Sequence, residues 1–362
     1  MRLKVLHIIN GLGTGGAEKL IIESLPQYTV RNENIIVDLL LLDGTEYPFK
    51  IQIEKNFKGK VISLGTGGVY NPLHILKLTK YLASYDIVHV HLFPSLYFVA
   101  IAKIISRTKA KFIFTEHSTN NRRVKNKIFR VLDKFIYKQY DVVTAITPQV
   151  MQMLKETLRL QNKVVVVYNG INVDQIRNAE SLDPKSFFLD EGAKVLIQVS
   201  RFSIEKDQQT VIRAMRILPS YVKLLLVGDG ESIVACKALV NDLGLEERVR
   251  FLGVRMDVPQ LLKASDIIVQ SSFWEGFGLA AVEGMAAEKP LIASAVPGLY
   301  EITEGAGLTF QQGDEEGLSE KVMTLIENET LYNQVARDCF ARAEKFKIET
   351  MVDQLIKIYE NL

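Results

Sequence analysis

The sequence is poor in cysteine. Its two cysteines, Cys236 and Cys339, stand far apart and belong to no CxxC or Cys/His spacing. A disulfide framework and a zinc site are therefore not expected, and both thiols are predicted to be small core residues.

Long apolar runs are missing as well. No run reaches the ~20 residues that span a bilayer, and the first ten residues lead into a glycine loop too early for a signal peptide. A cytoplasmic protein is the expectation. With 362 residues, 48% of them hydrophobic and 24% charged, the composition is typical of a globular chain of two domains.

The charges are divided unevenly along the chain. Residues 1–170 contain 24 Lys and Arg against 12 Asp and Glu, and the remainder contains 20 against 30. The excess is concentrated at 103–138, where eleven basic residues accompany only Glu116 and Asp133. This asymmetry predicts that the first half meets an anionic surface.

The basic segment 121–138 has helical periodicity. Its apolar residues Ile128, Leu132, Phe135 and Ile136 follow helical spacing among cations. We expect this stripe to pack in the core while the basic face is attracted to an anionic membrane, so that the protein is peripheral at the inner face of the cell membrane. A merely solvated basic face is the alternative.

Apolar strands alternate with amphipathic helices over the whole chain, which predicts an α/β class with parallel sheets. The first set of predicted strands covers 4–9, 35–42, 86–91, 111–115 and 142–146. The second set covers 194–199, 223–227, 250–252, 266–269 and 290–293.

Two doubly wound, Rossmann-like domains follow from these sets. The predicted boundaries are 1–172 and 173–348, with a polar linker at 174–191 and a final helix, 349–362, that packs back on the first domain. Ligands of such sheets bind at the carboxyl ends of strands, so an interdomain cleft is the expected active site.

The segment between 269 and 285 is the most informative one. Glu275 and Glu283 flank a turn that joins a buried strand to a helix. The amides of Phe277, Gly278 and Leu279 at the helix start would suit a diphosphate, and each carboxylate could accept hydroxyl protons from a sugar or a ribose. A solvated Glu283 and a loop charge at Glu275 are the alternatives.

A basic pair, Arg201 and Lys206, follows the first strand of the second domain. Arg201 can form a planar fork to phosphate oxygens, and Lys206 supplies a point charge. The pair would neutralise a leaving diphosphate. Two surface cations in a connecting loop are the alternative interpretation.

The first domain has a glycine loop between its first strand and helix. Gly15 and Gly16 would let a helix start approach a phosphate closely. A dinucleotide site is weakly indicated, because the acidic residue expected ~20 positions later is misplaced, the nearest being Asp43.

In combination these motifs resemble the retaining, group 1 (family 4) glycosyltransferases of the GT-B fold. The resemblance rests on Ser200 to Lys206, Gly228 to Gly230, Phe251 to Gly253, the Glu275/Glu283 pair and Ala293 to Gly298. It implies transfer of a sugar from a nucleoside-diphosphate donor with retained anomeric configuration.

The resemblance also implies residue roles. Arg201 and Lys206 would hold the diphosphate, Glu283 the ribose, and Glu275 with the backbone at Phe277, Gly278 and Leu279 the sugar and phosphate. Further donor-binding residues by the same likeness are Gly15, Gly16, Gly228, Gly253, Val254 and Arg255.

Three histidines of the first domain, His89, His91 and His117, lie on or just after predicted strands. His117 follows a strand, where the family often has a histidine touching the donor sugar; a structural role and a substrate role both stay open. His89 and His91 share one face of a strand and are expected to pack or hydrogen-bond rather than bind a metal. No metal or other cofactor is expected, since the nucleotide-sugar is a substrate.

The expected function is transfer of a hexose or N-acetylhexosamine to a glycan or lipid-linked acceptor in cell-envelope polysaccharide biosynthesis. By the same resemblance Arg255 would border the base, which favours a UDP-sugar, with a guanine nucleotide as the alternative. No nucleic-acid partner is expected. A nucleotide-sugar epimerase of similar fold, an NAD-dependent oxidoreductase and a catalytically idle scaffold are the alternatives.

Overall fold

The computed structural model describes residues 2–66, 68–118, 126–161, 163–188 and 192–362. The chain divides into two compact units. The first unit contains Met1–Gly170 together with Ile348–Leu362, and the second contains Ile171–Lys347.

The first unit is built on a seven-stranded parallel sheet in the order β3-β2-β1-β4-β5-β6-β7. Its strands are β1 Leu3–Ile9, β2 Ile35–Leu41, β3 Val61–Ser63, β4 Ile87–His91, β5 Lys111–Glu116, β6 Val142–Ala145 and β7 Val164–Val166. Its helices are α1 Gly16–Arg31, α2 Pro48–Asn56, α3 Leu73–Leu82, α4 Ser95–Ser106, α5 Lys127–Lys138 and α6 Pro148–Leu158.

A last helix, α15 Ile348–Glu360, packs against α1 and completes the core of the first unit. Its apolar residues recur at helical spacing, so one face is buried. Tyr359 on α15 stacks on Tyr28 of α1, and the ion pair between Arg31 and Asp353 joins the same helices.

The second unit is built on a six-stranded parallel sheet in the order β10-β9-β8-β11-β12-β13. Its strands are β8 Lys194–Val199, β9 Val222–Val227, β10 Val249–Gly253, β11 Ile267–Gln270, β12 Leu291–Ser294 and β13 Leu308–Phe310. Its helices are α7 Val173–Arg177, α8 Gln208–Ile217, α9 Ile233–Asp242, α10 Val258–Ala264, α11 Leu279–Ala286, α12 Leu299–Thr303, α13 Glu315–Glu327 and α14 Glu329–Ala343.

Three strands are absent from the sequence prediction: β3, β7 and β13. Each has three residues and lies at the edge of its sheet. Such short segments have too few residues to display an alternating or continuous apolar pattern, whereas all six residues of β9 are buried and give a clear signal.

The polar segment after 173 is not a plain linker. It begins with α7, where Val173 and Ile176 are buried, and Phe188 is buried beneath the guanidinium of Arg250. The few apolar residues of a polar stretch thus attach it to the second unit. Residues 189–191 lie outside the described residues.

No helix within the described ranges is long and apolar enough to cross a membrane.

Candidate functional site

The second unit has a switch point between β8 and β11. From β8 the chain winds outward through β9 to β10, and from β11 it winds the other way through β12 to β13. The loops that follow β8 and β11 therefore diverge at one point of the sheet edge, which is where open α/β sheets bind ligands.

An ion pair joins these two loops. The Lys206 ammonium, at the end of a 3-10 turn that covers Ile204–Lys206, contacts the Glu275 carboxylate. The two side chains are 21% and 13% exposed, so both charges are largely withdrawn from water while they remain reachable from the surface. Two of the predicted catalytic residues are thus in direct contact.

Sequence reasoning missed the polar residues that hold this pair in position. The Gln198 amide, buried inside β8, donates to the carbonyls of Lys206 at 2.8 Å and Ser271 at 3.2 Å. The Asp207 carboxylate accepts from Ser271 Oγ at 3.0 Å and caps α8. A glutamine within an apolar strand was the one available signal, since buried polar groups require partners.

The loop of Arg201 is fixed by close backbone packing. Gly228, at the end of β9, has a φ of +131°, and a Cβ there would lie 2.0 Å from the carbonyl oxygen of Ser200. Gln208 Nε2 donates to the Arg201 carbonyl at 2.8 Å. The position of Gly228 therefore serves the shape of the neighbouring loop, because no side chain fits there.

The Arg201 side chain does not join the Lys206–Glu275 pair. Its guanidinium lies 3.1 Å from the Glu231 carboxylate, and the two side chains are 71% and 59% exposed. A hydrogen bond from its own backbone, and then Arg201, lowers the pKa of Glu231. Arg201 is thus an exposed cation held by a weak surface partner.

The start of α11 lies beside Glu275. Gly278, with a φ of +89°, precedes α11, and no side chain caps the helix. Phe277 is buried edge-on against Phe346, while Glu283 is buried one turn inside the helix beyond Leu279. The alternative of a solvated Glu283 is therefore excluded, because this helix is packed on nearly all sides.

The residues predicted to border the base lie farther along the sheet. Gly253 ends β10, which is separated from β8 by β9, and Val254 is half-exposed. Arg255 binds the Asp257 carboxylate through two hydrogen bonds, of 2.8 and 2.6 Å. These bonds raise the pKa of Arg255 and lower that of Asp257.

In the first unit the glycine loop follows β1, next to the β1/β4 switch point. Gly15 precedes α1, which begins at Gly16, and a Cβ on Gly15 would lie 2.3 Å from a carboxylate oxygen of Glu18. Burial raises the pKa of Glu18. The helix start predicted for a phosphate is therefore adjacent to the helix's own carboxylate.

Four of the five histidines form one cluster inside the first unit. His7 comes from β1, His89 and His91 from β4, and His117 from the end of β5. Burial lowers the pKa of His7 to about 3 and that of His117 to about 4, and it lowers those of His89 and His91 well below the usual value. All four rings are therefore neutral at pH 7.

Hydrogen bonds link these rings in series, with the Tyr359 hydroxyl between His7 and His89. The distances are 3.2 Å for His117 Nε2 to His91 Nδ1, 3.1 Å for His91 Nε2 to His7 Nδ1, 3.3 Å for His7 Nε2 to Tyr359 Oη and 2.6 Å for Tyr359 Oη to His89 Nδ1. Each ring thus packs on and bonds to its neighbours, as expected for His89 and His91.

The spacing of the same rings has a second reading. In the described part of the chain, His7, His89 and His91 form the one group with three potential metal-ligand atoms, all within 4.8 Å of one another. Both nitrogens of His89 already bond, to Tyr359 and to Thr115, each at 2.6 Å. A metal would have to displace these bonds.

The structure corrects the orientation of α5. Leu132 and Phe135, predicted to pack in the core, are 41% and 53% exposed, and only Ile136 of the described stripe is buried. The inward side of α5 also carries Asp133, whose carboxylate accepts a hydrogen bond from the Tyr97 hydroxyl. This buried polar contact determines which side of the helix faces inward, so the apolar stripe faces outward. Residues 121–125 and the side chain of Ile128 lie outside the described residues.

Solved structures define the class of the fold. Anabaena HepE in complex with UDP-glucose is 24% identical, covers all of both chains and superposes with a TM-score of 0.87. WaaG, a glycosyltransferase involved in lipopolysaccharide biosynthesis, is 15% identical and gives a TM-score of 0.73 over 98% of this chain and 99% of its own. The two parallel-sheet units are those of the GT-B fold, as predicted.

Sequence comparisons then define the family. Residues 180–342 match the family described as glycosyl transferases group 1, and residues 15–175 match glycosyltransferase family 4. N-acetyl-alpha-D-glucosaminyl L-malate synthase of Bacillus anthracis is 32% identical over 283 residues, which cover 76% of this chain and 74% of the relative. The chain belongs to the group 1 (family 4) glycosyltransferases.

A further relative has a named lipid-linked substrate. UDP-Gal:alpha-D-GlcNAc-diphosphoundecaprenol alpha-1,3-galactosyltransferase of Escherichia coli is 26% identical over 300 residues, covering 76% of this chain and 75% of the relative. The prediction of a glycosyltransferase is confirmed by the family, and neither an epimerase nor an oxidoreductase receives support.

Proposed function

We propose that the second unit binds a UDP-sugar and that the enzyme transfers its hexose or N-acetylhexosamine with retention. The Lys206–Glu275 pair beside the uncapped start of α11 is the observation that carries this proposal. This site combines a cation, a carboxylate and a helix start without a side-chain cap at the switch point of the sheet. UDP in the solved HepE complexes and in the name of the E. coli relative supports the choice of base.

The charges suggest a division of roles. Lys206 and the amides at Leu279 stabilise the diphosphate as it leaves, because negative charge develops there in the transition state. Glu275 then accepts from the sugar hydroxyls, and Glu283 from the ribose. Arg201 exchanges its exposed partner Glu231 for a phosphate oxygen at little cost, since surface ion pairs are weak.

Retention would follow from attack on the same face that the diphosphate leaves. The acceptor hydroxyl then replaces the leaving oxygen while the diphosphate accepts its proton, so no protein nucleophile is required. Proton NMR of the first product formed should give an α-configured linkage from an α-configured UDP-sugar. A β-linked first product would contradict retention.

Donor binding is tested with UDP, GDP and their sugars by isothermal titration calorimetry. We expect UDP to bind most tightly and Glu283→Gln to weaken it by about tenfold or more, since a hydrogen bond to a charged group contributes ~1.5–3 kcal/mol. Glu320→Gln, an exposed carboxylate on α13, is the control. Equal UDP affinity in the two variants would remove Glu283 from the donor site.

We further propose that transfer needs no metal ion, because protein cations and helix amides offset the diphosphate charge. Turnover should persist in EDTA. Recovery of lost turnover on adding Mg²⁺ or Mn²⁺ would contradict this.

The acceptor is proposed to be a glycan or a lipid-linked sugar at an anionic membrane. The outward face of α5 supports this, since it carries Phe129, Leu132 and Phe135 beside the exposed Lys138. An amphipathic helix with cations flanking an apolar stripe is suited to the lipid headgroup region. The name of the E. coli relative is consistent with such an acceptor.

Vesicle sedimentation tests this surface. Phosphatidylglycerol vesicles should retain the protein, and Leu132→Ser with Phe135→Ser should release it. Val234→Ser, which removes a still more exposed apolar residue from α9, should have no effect. Equal binding of all variants would exclude α5 as the contact.

A further inference from the structure

The hydrogen-bonded series His117, His91, His7 and Tyr359, called the histidine relay below, connects the ligand-binding edge of β5 to the C-terminal helix. We propose that the hydroxyl of Tyr359 sets which nitrogen of His117 carries its proton, and so acts as a positioning residue for the histidine that follows β5. A contact between His117 and a sugar hydroxyl rests on the proposed function; the relay itself does not.

Neutral imidazoles make the relay directional. A neutral ring has one N–H and one lone pair, so a ring that accepts at one nitrogen must donate from the other. Burial keeps the rings neutral, as their low pKa values indicate. Because His7 and His91 each bond through both nitrogens, and His117 bonds to His91 through Nε2, one proton choice at Tyr359 is transmitted to His117.

Two arrangements satisfy every bond of the relay. If Tyr359 donates to His89 Nδ1, its oxygen accepts from His7 Nε2, and every ring of the relay then carries its proton on Nε2. If Tyr359 donates to His7 Nε2 instead, every ring carries its proton on Nδ1. Donation to Tyr28 leaves His7, and hence His117, as in the first arrangement.

The distances favour the first arrangement. Tyr359 Oη lies 2.6 Å from His89 Nδ1, against 3.1 Å from Tyr28 Oη and 3.3 Å from His7 Nε2. The 3.3 Å contact fits the Nε2–H of His7 as its donor, since O–H donors make shorter bonds than N–H donors, and the Tyr359 hydroxyl is then left to donate to His89 or Tyr28. His89 then donates from Nε2 to Thr115, which donates to Thr144, each at 2.6 Å.

The position of the proton decides which chemical group His117 can bind. In this arrangement His117 donates through Nε2 to His91, and its Nδ1 is an acceptor. A sugar hydroxyl that meets His117 Nδ1 would donate to it. The opposite arrangement would present an N–H, which suits a carbonyl or phosphate oxygen instead, so the tautomer decides the type of group that His117 recognises.

Histidine tautomers can be read by long-range ¹H–¹⁵N NMR of protein labelled at histidine. In the unmodified protein without donor, His117, His91, His7 and His89 should all be protonated on Nε2. A proton on Nδ1 of His117 would overturn the proposal. This measurement requires no variant and no turnover.

Tyr359→Phe tests the control point. Without the hydroxyl, an Nε2–H of His7 would be a buried donor with no acceptor, which is rarer in proteins than an unpaired acceptor. The relay should therefore reverse and place the proton of His117 on Nδ1. An unchanged His117 tautomer would overturn the proposal.

Tyr28→Phe is the matched control. It removes a neighbouring, buried hydroxyl that hydrogen-bonds to Tyr359, and it leaves Tyr359 able to donate to His89. The His117 tautomer should stay on Nε2, and a reversal in this variant too would show that loss of packing moves the tautomer.

Steady-state kinetics tests separately whether the tautomer of His117 matters for the reaction. We expect Tyr359→Phe to lower kcat/KM for the sugar donor about tenfold, the worth of one hydrogen bond, and Tyr28→Phe to change it less than twofold. A reversed tautomer with unchanged kcat/KM would uphold the relay and overturn the contact between His117 and a sugar hydroxyl.

Discussion

Each unit has its own sheet, and the carboxyl ends of the strands carry different kinds of polar groups in the two units. At its switch point the second unit places opposite charges, Lys206 and Glu275, which stay partly exposed. The first unit instead aligns neutral imidazoles, from His7 to His117, that are withdrawn from water and hold their pKa values low. Charge is tolerated where water or a partner reaches it, whereas a closed core requires polar groups that are neutral.

This contrast extends to the distribution of titratable groups. All five histidines belong to the first unit, and the segment from Ile171 to Lys347 has none. The first unit is therefore sensitive to proton activity in the mildly acidic range, whereas the second unit has no imidazole to titrate there.

The largest expected effect is selective acid unfolding of the first unit. His7, His89 and His91 have pKa values below 6.5 when folded, so the unfolded chain binds more protons below that pH. Stability should be lost as pH falls from about 6.5 towards the folded values, by about 1.4 kcal/mol per pH unit for each histidine.

Hydrogen exchange and Trp274 fluorescence distinguish the units during this titration. Amides of the first unit should lose protection between pH 6.5 and 4.5, while Trp274, in the second unit, reports little change. Equal loss of protection in both units would contradict the contrast.

Next in size is the effect of removing Lys206, the partly buried cation at the switch point of the second unit. Lys206→Met should lower kcat by roughly 10²–10³, the usual loss for one group that stabilises developing charge. Steady-state release of UDP measures it. Lys263→Met is the control, because Lys263 pairs with Glu288 at 3.1 Å and is 19% exposed but lies away from the switch point. Similar losses in both variants would indicate a structural cause.

A smaller effect concerns the glycine beneath Arg201. Gly228→Ala and Gly244→Ala both place a side chain at positive φ, but only the first meets another atom, the Ser200 oxygen. Urea unfolding should therefore show Gly228→Ala to be about 2 kcal/mol less stable than Gly244→Ala, a typical cost of overpacking. Equal stabilities would mean that the loop yields freely.

The smallest effect on stability is expected at Arg201. Arg201→Gln breaks only an exposed ion pair, so the free energy of unfolding should change by less than about 0.5 kcal/mol. UDP affinity should nevertheless fall about tenfold. Arg337→Gln, on the exposed side of α14, should change neither quantity. Unchanged UDP affinity in Arg201→Gln would remove this residue from the donor site.

Local patterns accounted for most of the fold. Buried runs such as 222–227 and the turn around Gly278 have signals within a few residues, so central strands and the start of α11 could be predicted. The ion pair of Lys206 and Glu275 was accessible through the rule that strand ends of a parallel sheet share an edge.

Features that depend on distant residues could not be predicted in the same way. The histidine relay joins His7 to Tyr359, 352 positions away in sequence, and no pattern within either segment reveals the other. The orientation of α5 failed for a related reason. Helical spacing identifies the stripe that contains Leu132, but the partner of Asp133 on α4 decides which side faces inward.

The position of α15 affects how the chain is made. Because Met351, Leu355 and Tyr359 complete the core of the first unit, that core stays open on the ribosome until the entire second unit has been synthesised. The second unit, by contrast, is one continuous segment and can fold as it emerges. The first unit is therefore translated first but completes its folding last. Until then the apolar surface of α1 is exposed to chaperones that bind nascent chains.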